Sequence, residues 1–139
     1  MLSITIQVTS EMDVLYGLYQ LAIDYTNKLE PEDNTGMIKG LDTRQRLLSR
    51  TASSTNIAAT LLKKFDSANN IPANEKALVE EKKNLIKDCL LKMRQTESLL
   101  MRKMQKKMKN LRGELADITY RRKAAQSYSS APRAKTFIS

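Results

Sequence analysis

Residues 74–128 read NEKALVEEKKNLIKDCLLKMRQTESLLMRKMQKKMKNLRGELADITYRRKAAQSY, and this stretch decides the fold. No Pro interrupts it, and its apolar residues recur at spacings of three and four, which is the period of one face of an α-helix. At ~1.5 Å per residue, such a helix extends about 80 Å. The sequence therefore predicts one long C-terminal helix whose apolar stripe consists of Leu78, Ile86, Leu90, Met93, Leu100, Met104, Met108, Leu111, Leu115, Ile118 and Ala125.

Two shorter helices are predicted before it. The first covers about residues 10–29, with Ser10 as its N-cap and an end just before Pro31, because proline disfavours a helical conformation in the residue that precedes it. The second covers about residues 37–68 and ends before a loop that contains Pro72. The apolar face predicted for the first helix consists of Val14, Leu18, Leu21 and Tyr25.

Both ends of the chain show a different pattern. Residues 2–8, LSITIQV, alternate apolar and polar side chains with the period of a half-buried strand, so a short extended N-terminal segment is predicted. The sequence offers no second strand to pair with it, which leaves a tail docked on the helices or an edge that pairs with another copy. Residues 129–139 are rich in Ser and Ala and are predicted to form a flexible C-terminal tail.

Together these patterns predict an all-α fold, an antiparallel helical hairpin or three-helix bundle with one long C-terminal helix. Residues 1–128 form a single helical domain in this interpretation. The middle of the second helix, residues 51–60, reads TASSTNIAAT, and its small side chains allow either a close approach of a neighbouring helix or a local break. Gly17 weakens the first helix and allows a neighbour to come close.

Composition excludes several classes of function. The chain has no His and one Cys, so disulfide frameworks, typical zinc sites and catalysis by imidazole are excluded, and no enzymatic activity, metal or cofactor is predicted. No apolar run approaches the ~18 residues of a membrane span. The N-terminus lacks the basic and apolar regions of a signal peptide, so the expected location is the cytoplasm.

Charge is distributed unevenly along the chain. The formal net charge is +9, with −1 in residues 1–74 and +10 in residues 75–139. A basic half of this kind is typical of proteins that bind nucleic acid, an anionic membrane surface or an acidic protein. No aromatic strand, zinc spacing or helix-turn-helix pattern accompanies the cations, which disfavours the nucleic-acid interpretation without removing it.

The sharpest candidate site is the stretch Ser98–Leu115, SLLMRKMQKKMKNLRGEL. Its Met and Leu side chains fall on one side of a helix, and cations surround them. Flexible Met side chains adapt to more than one partner, and cations can meet the acidic side chains of an incoming helix. Core packing and a solvated basic face are the alternative interpretations. The predicted partner-binding residues, on a face that continues beyond this stretch, are Leu100, Met104, Met108, Leu111, Leu115 and Ile118, with Lys107 and Arg112 as flanking charges.

Each predicted helix carries one distinctive sequence feature. The first helix contains VLYGLYQLAIDY (residues 14–25), and the second opens with MIKGLDTRQRLL (residues 37–48). The long third helix ends with basic and small residues that lead to a Tyr, namely Arg121, Arg122, Lys123, Ala124, Ala125 and Tyr128. Together these three features resemble the flagellar type III export chaperones. The chain departs from that family in its strongly basic charge and in the small polar centre of its second helix.

The resemblance implies a cytoplasmic protein that binds an amphipathic helix of an exported subunit, such as the flagellar cap protein or a hook-associated protein, and prevents premature assembly. It further implies that the C-terminal tail competes for the same surface. Two alternatives from other classes stay open: a basic helical protein that associates with nucleic acid, and a structural coiled coil that forms a homodimer through the long helix.

Overall fold

The protein is all-helical in the computed structural model, which describes the backbone of residues 3–138 and the side chains of residues 3–127. Its three helices are α1 (Ile4–Asn27), α2 (Asn34–Ser67) and α3 (Ala73–Ile138). The predicted all-α class is confirmed. Contacts between residues divide the chain into two compact units, Met1–Met101 and Arg102–Ser139, and the predicted domain of residues 1–128 takes in the first unit and most of the second.

The extended N-terminal segment predicted for residues 2–8 is wrong from residue 4 onward, because α1 already begins at Ile4. The N-cap is Ser3 and not Ser10, since Ser3 Oγ accepts a hydrogen bond from the Ile6 N–H at 3.2 Å. Thr5 and Val8 are buried while Ile6 is exposed, which is a helical and not an alternating pattern of burial. Packing in the core therefore overrides the local strand preference of the β-branched residues. Residue 2 lies outside the described residues.

Capping residues and loops set the other helix boundaries. The Asp33 carboxylate accepts a hydrogen bond from the Gly36 N–H at 2.9 Å, so α2 begins at Asn34, three residues before the predicted start. In the following loop Asn70 adopts a left-handed conformation with φ of 63°, which Asn tolerates better than most residues. At the start of α3 the Pro72 carbonyl accepts hydrogen bonds from the backbone N–H groups of Glu75 and Lys76.

The first unit is a three-helix bundle with its core in four layers along the helices. Residue numbers rise through the layers in α1 and α3 and fall in α2, so α2 runs antiparallel to the other two helices. The four layers contain, in order, Val8, Met12, Phe65 and Val79; Leu15, Tyr19, Ala58 and Cys89; Ala22, Ile23 and Met93; and Leu29, Met37 and Leu100.

The apolar face predicted for α1 is correct at two of its four residues. Leu18 is buried and Tyr25 packs against the fourth core layer. Val14 and Leu21 are 52% and 55% exposed, whereas Leu15 and Ala22, one residue further along, are buried. The two faces are about 100° apart on a helix, and both carry apolar residues, so periodicity alone did not fix which of them packs. Gly17 has no neighbouring atom within 4 Å of an added Cβ, and the close approach predicted there is wrong.

Polar contacts between helices fix how the bundle is aligned. Arg44 of α2 forms an ion pair with Glu97 of α3, and its Nε donates to Thr26 Oγ1 of α1 at 3.2 Å. Because Arg44 is largely shielded and reaches both neighbours, it ties all three helices together at one end of the bundle. Further along α2, Ser54 donates to a Glu11 carboxylate oxygen at 2.8 Å.

The middle of α2 is a continuous helix. Thr51, Ser54 and Ala58 are buried, so the small residues form the side of α2 that packs on its neighbours. The Thr51 hydroxyl donates to the Leu47 carbonyl at 2.8 Å, which satisfies its hydrogen bond within the helix. Of the two predicted alternatives for this segment, the local break is wrong.

The C-terminal tail predicted for residues 129–139 is described through its backbone, which is helical to Ile138. Side chains from residue 128 onward lie outside the described residues, and the mobility of the tail stays a prediction. Among the described residues, no helix combines the length and the apolar character needed to cross a membrane.

Candidate partner-binding site

The predicted binding residues fall into two groups. Leu100 is 6% exposed and belongs to the fourth core layer together with Leu29 and Met37. It therefore supports the bundle and is not an exposed contact surface. The other five apolar residues lie in the second unit and are 37%, 52%, 46%, 62% and 46% exposed; they are, in that order, Met104, Met108, Leu111, Leu115 and Ile118, here called the exposed seam.

The exposed seam occupies one face of α3. Its members are separated by four, three, four and three residues, so they lie along one side of the helix and form the apolar row that a partner helix packs against in a coiled coil. All described side chains of residues 102–127 are exposed, except Lys107, which is half-buried.

Cations surround the exposed seam. Residues 102–127 contain nine Lys and Arg and two acidic residues, a net charge of +7. Of the two predicted flanking charges, Arg112 is exposed and Lys107 is half-buried, and their positions in the helix lie on opposite sides of the seam. This concentration of positive charge attracts an anionic partner and repels another cationic one.

Two polar contacts of the second unit lie within the helix itself. Asp117 forms an ion pair with Arg121 at 3.2 Å, one turn apart. The Thr119 hydroxyl donates to the Leu115 carbonyl at 2.8 Å. Both contacts stabilise helical backbone and leave the seam face uncovered, so the face is accessible to a partner.

Cys89 is buried in the second core layer. Burial raises the pKa of its thiol, and the hydrogen bond that Gln20 donates to Cys89 Sγ at 3.5 Å lowers that pKa to a smaller extent. A buried thiol with a raised pKa is a poor nucleophile. In the part of the chain that the structure describes, no group of three His, Cys, Asp or Glu residues is placed to hold a metal ion.

Sequence reasoning missed a pocket in the first unit. It opens between α2 and α3, has a volume of about 230 Å³ and includes Ala59, Lys83, Ile86 and Lys87 in its lining. The available signal was the run of small residues in the middle of α2, since small side chains that face a neighbouring helix leave space. That run was interpreted only for its effect on helix packing.

The chain matches no protein-family profile, no curated protein and no solved structure.

Proposed function

We propose that this protein is a cytoplasmic chaperone of the flagellar export type, which covers an amphipathic helix of a secreted subunit until that subunit is exported. The observation that carries the proposal is the exposed seam of Met104–Ile118, an apolar helix face without a covering element in the described chain. Contiguous apolar surface rimmed by polar residues is typical of protein-binding sites. The sequence resemblance to flagellar export chaperones supports the choice of partner, a cap or hook-associated subunit.

The charge around the exposed seam defines the kind of helix that fits it. A partner helix with an apolar stripe and acidic flanks would place carboxylates beside Lys107 and Arg112 while its apolar residues cover the seam. Another strongly basic helix would be repelled by the net charge of +7 in residues 102–127. The proposal therefore specifies an acidic amphipathic segment as the substrate.

The expected affinity is moderate, which suits a chaperone that must release its substrate. Complete burial of a large aliphatic side chain contributes about 1.5–3 kcal/mol, and the seam residues are already about half shielded by their own helix. Five such residues give on the order of 5 kcal/mol before the entropic cost of association is subtracted. Electrostatic attraction adds to this and raises the association rate.

The test compares two double variants with the same added charge. Met108→Glu with Leu115→Glu places both carboxylates on the seam, whereas Asn110→Glu with Ala116→Glu places them on exposed positions away from it. We expect the seam variant to lose capture of cap and hook-associated subunits from the source cell, and the control to retain it. Protection of the Cys89 thiol checks that the first unit is folded in both. Equal capture by the two variants would contradict the proposal.

Nucleic-acid binding is a second candidate function, favoured by the nine exposed or half-exposed cations of residues 102–127. It predicts binding to mixed-sequence DNA or RNA that weakens steeply between about 50 and 200 mM salt. Because phosphate contacts need cations and not apolar residues, the Met108→Glu and Leu115→Glu variant and its control should then lose affinity equally. Light scattering on the free protein tests the remaining alternative, a homodimer through the seam.

A further inference from the structure

The charged residues beside the exposed seam differ between its two edges. On one edge Lys107 and Glu114 lie seven residues apart, which is close to two helical turns, so both border the same side of the seam. By their positions in the helix they lie roughly 60–80° from the centre of the seam, and Arg112 lies roughly 80° from it in the other direction. A partner helix that covers the seam therefore passes beside all three charges.

Glu114 differs in position from Asp117, the other acidic residue of residues 102–127. Asp117 forms its ion pair with Arg121 at 3.2 Å. Its position lies roughly 140° from the centre of the seam, on the outer face of the helix. Glu114 is exposed and borders the seam. Within residues 102–127, Glu114 is therefore the acidic residue that a docked helix meets, and it lies between the cations Lys107 and Arg121 of the same edge.

A uniformly acidic partner helix does not match this order of charges. Carboxylates that face Lys107 or Arg112 are attracted, whereas a carboxylate that faces Glu114 is repelled. The net charge of +7 in residues 102–127 attracts an acidic partner from a distance. At physiological ionic strength, however, exposed charges are screened beyond about 8 Å, so the charge pairs in direct contact decide which docked register is the most stable.

We propose that the partner helix carries an acidic residue facing Lys107 and, seven residues away on the same edge, a basic residue facing Glu114, with a second acidic residue facing Arg112. This inference rests on the proposed function, because it specifies the helix that the exposed seam binds. Glu114 fixes the register of that helix. A shift by one heptad in either direction places the partner's acidic residue against Glu114 or its basic residue against Lys107, and both contacts are repulsive.

Synthetic helical peptides of three heptads, with Leu at the positions that face the seam, test the proposal in fluorescence-anisotropy titrations with the full chain. Two such peptides carry the acidic and the basic residue in opposite orders, one for parallel and one for antiparallel docking. In the control of each peptide, the basic residue of the edge is exchanged with an acidic residue of the outer face, so composition and net charge are unchanged. We expect one peptide to bind about three- to tenfold more tightly than its control, because the control replaces an attractive contact with Glu114 by a repulsive one.

Two variants of the protein assign this preference to one residue. Glu114→Gln should reduce the difference between the peptide and its control to less than about twofold, whereas Asp117→Asn, which removes the same charge from the outer face, should retain it. A preference that survives Glu114→Gln, or controls that bind as tightly as the peptides, overturns the proposal but leaves helix docking on the seam intact. Absence of binding by all four peptides overturns both this proposal and the proposed function.

Discussion

Met93→Ala is expected to lower the free energy of unfolding of the first unit by about 3 kcal/mol. Met93 is 6% exposed and packs in the third core layer against Ala22 and Ile23. Its truncation removes nearly a complete buried side chain and leaves a cavity between helices whose other side chains hold it open. Buried Met→Ala substitutions typically cost ~2–5 kcal/mol for this reason.

Leu115→Ala is the matched comparison on the same helix. Leu115 is 62% exposed and belongs to the exposed seam, so its truncation leaves no cavity. We expect a change in stability within about 0.5 kcal/mol. The two substitutions remove similar apolar side chains from the same helix. The difference between their changes in the free energy of unfolding therefore measures the contribution of core packing, because the effect on helix propensity is similar in both.

The assay is the rate at which the Cys89 thiol reacts with a labelling reagent in excess. Cys89 is buried and becomes reactive only when the bundle opens. When the bundle closes again faster than the reagent reacts with the exposed thiol, the labelling rate is proportional to the population of the open state. A loss of 3 kcal/mol corresponds to an increase on the order of 100-fold, whereas Leu115→Ala should change the rate less than about threefold. Equal acceleration by both substitutions would refute the division of α3 into a core segment and an uncovered seam.

Two further predictions concern single residues of the first unit. Gly17→Ala should raise the free energy of unfolding by about 0.5–1 kcal/mol, because a Cβ there meets no atom within 4 Å. Gly40→Ala should lower the free energy of unfolding by about 1 kcal/mol, because its Cβ would lie 2.1 Å from Cδ2 of the buried Leu29. Urea titrations of the two variants measure both changes. Burial raises the pKa of the Cys89 thiol in the folded state, so the folded chain keeps its thiol proton to a higher pH than the unfolded chain. The stability that this thiol provides is complete below its ordinary pKa of about 8.5 and is lost as the pH rises through the raised pKa. The free energy of unfolding of Cys89→Ala should therefore decline less between about pH 8 and 10 than that of the unchanged protein. An equal decline in the two proteins would rule out this contribution.

Helix number and the helix boundaries beside the two loops were predictable because local chemistry sets them. Pro31 and Pro72 end one pattern and precede the next, and the observed boundaries of α2 and the start of α3 lie within a few residues of the predicted ones. The exposure of the seam also followed from the sequence. The third helix is much longer than the first two, so part of its apolar stripe had no helix to cover it.

The structure of α1 was harder to predict because competing patterns had similar strength. Ile4, Ile6 and Val8 alternate as in a strand, and only the burial of Val8 against α2 and α3 shows why the helix is preferred. Likewise Val14 and Leu15 are both apolar, and the choice of face depends on which one meets the small side chain of Ala58. These are tertiary effects, which local propensity does not contain.

The order of the four layers has a consequence for how the chain folds during synthesis. In the fourth layer Leu29 and Met37 are close in sequence, so the turn between α1 and α2 can form as soon as it leaves the ribosome. The first layer joins Val8 to Phe65 and Val79 and has to wait until most of the bundle has been made. We therefore expect α1 and α2 to pair first near the turn between them, with pairing then extending toward the N-terminus of α1. The apolar face of α1 would pack against α2 before α3 is added to the core.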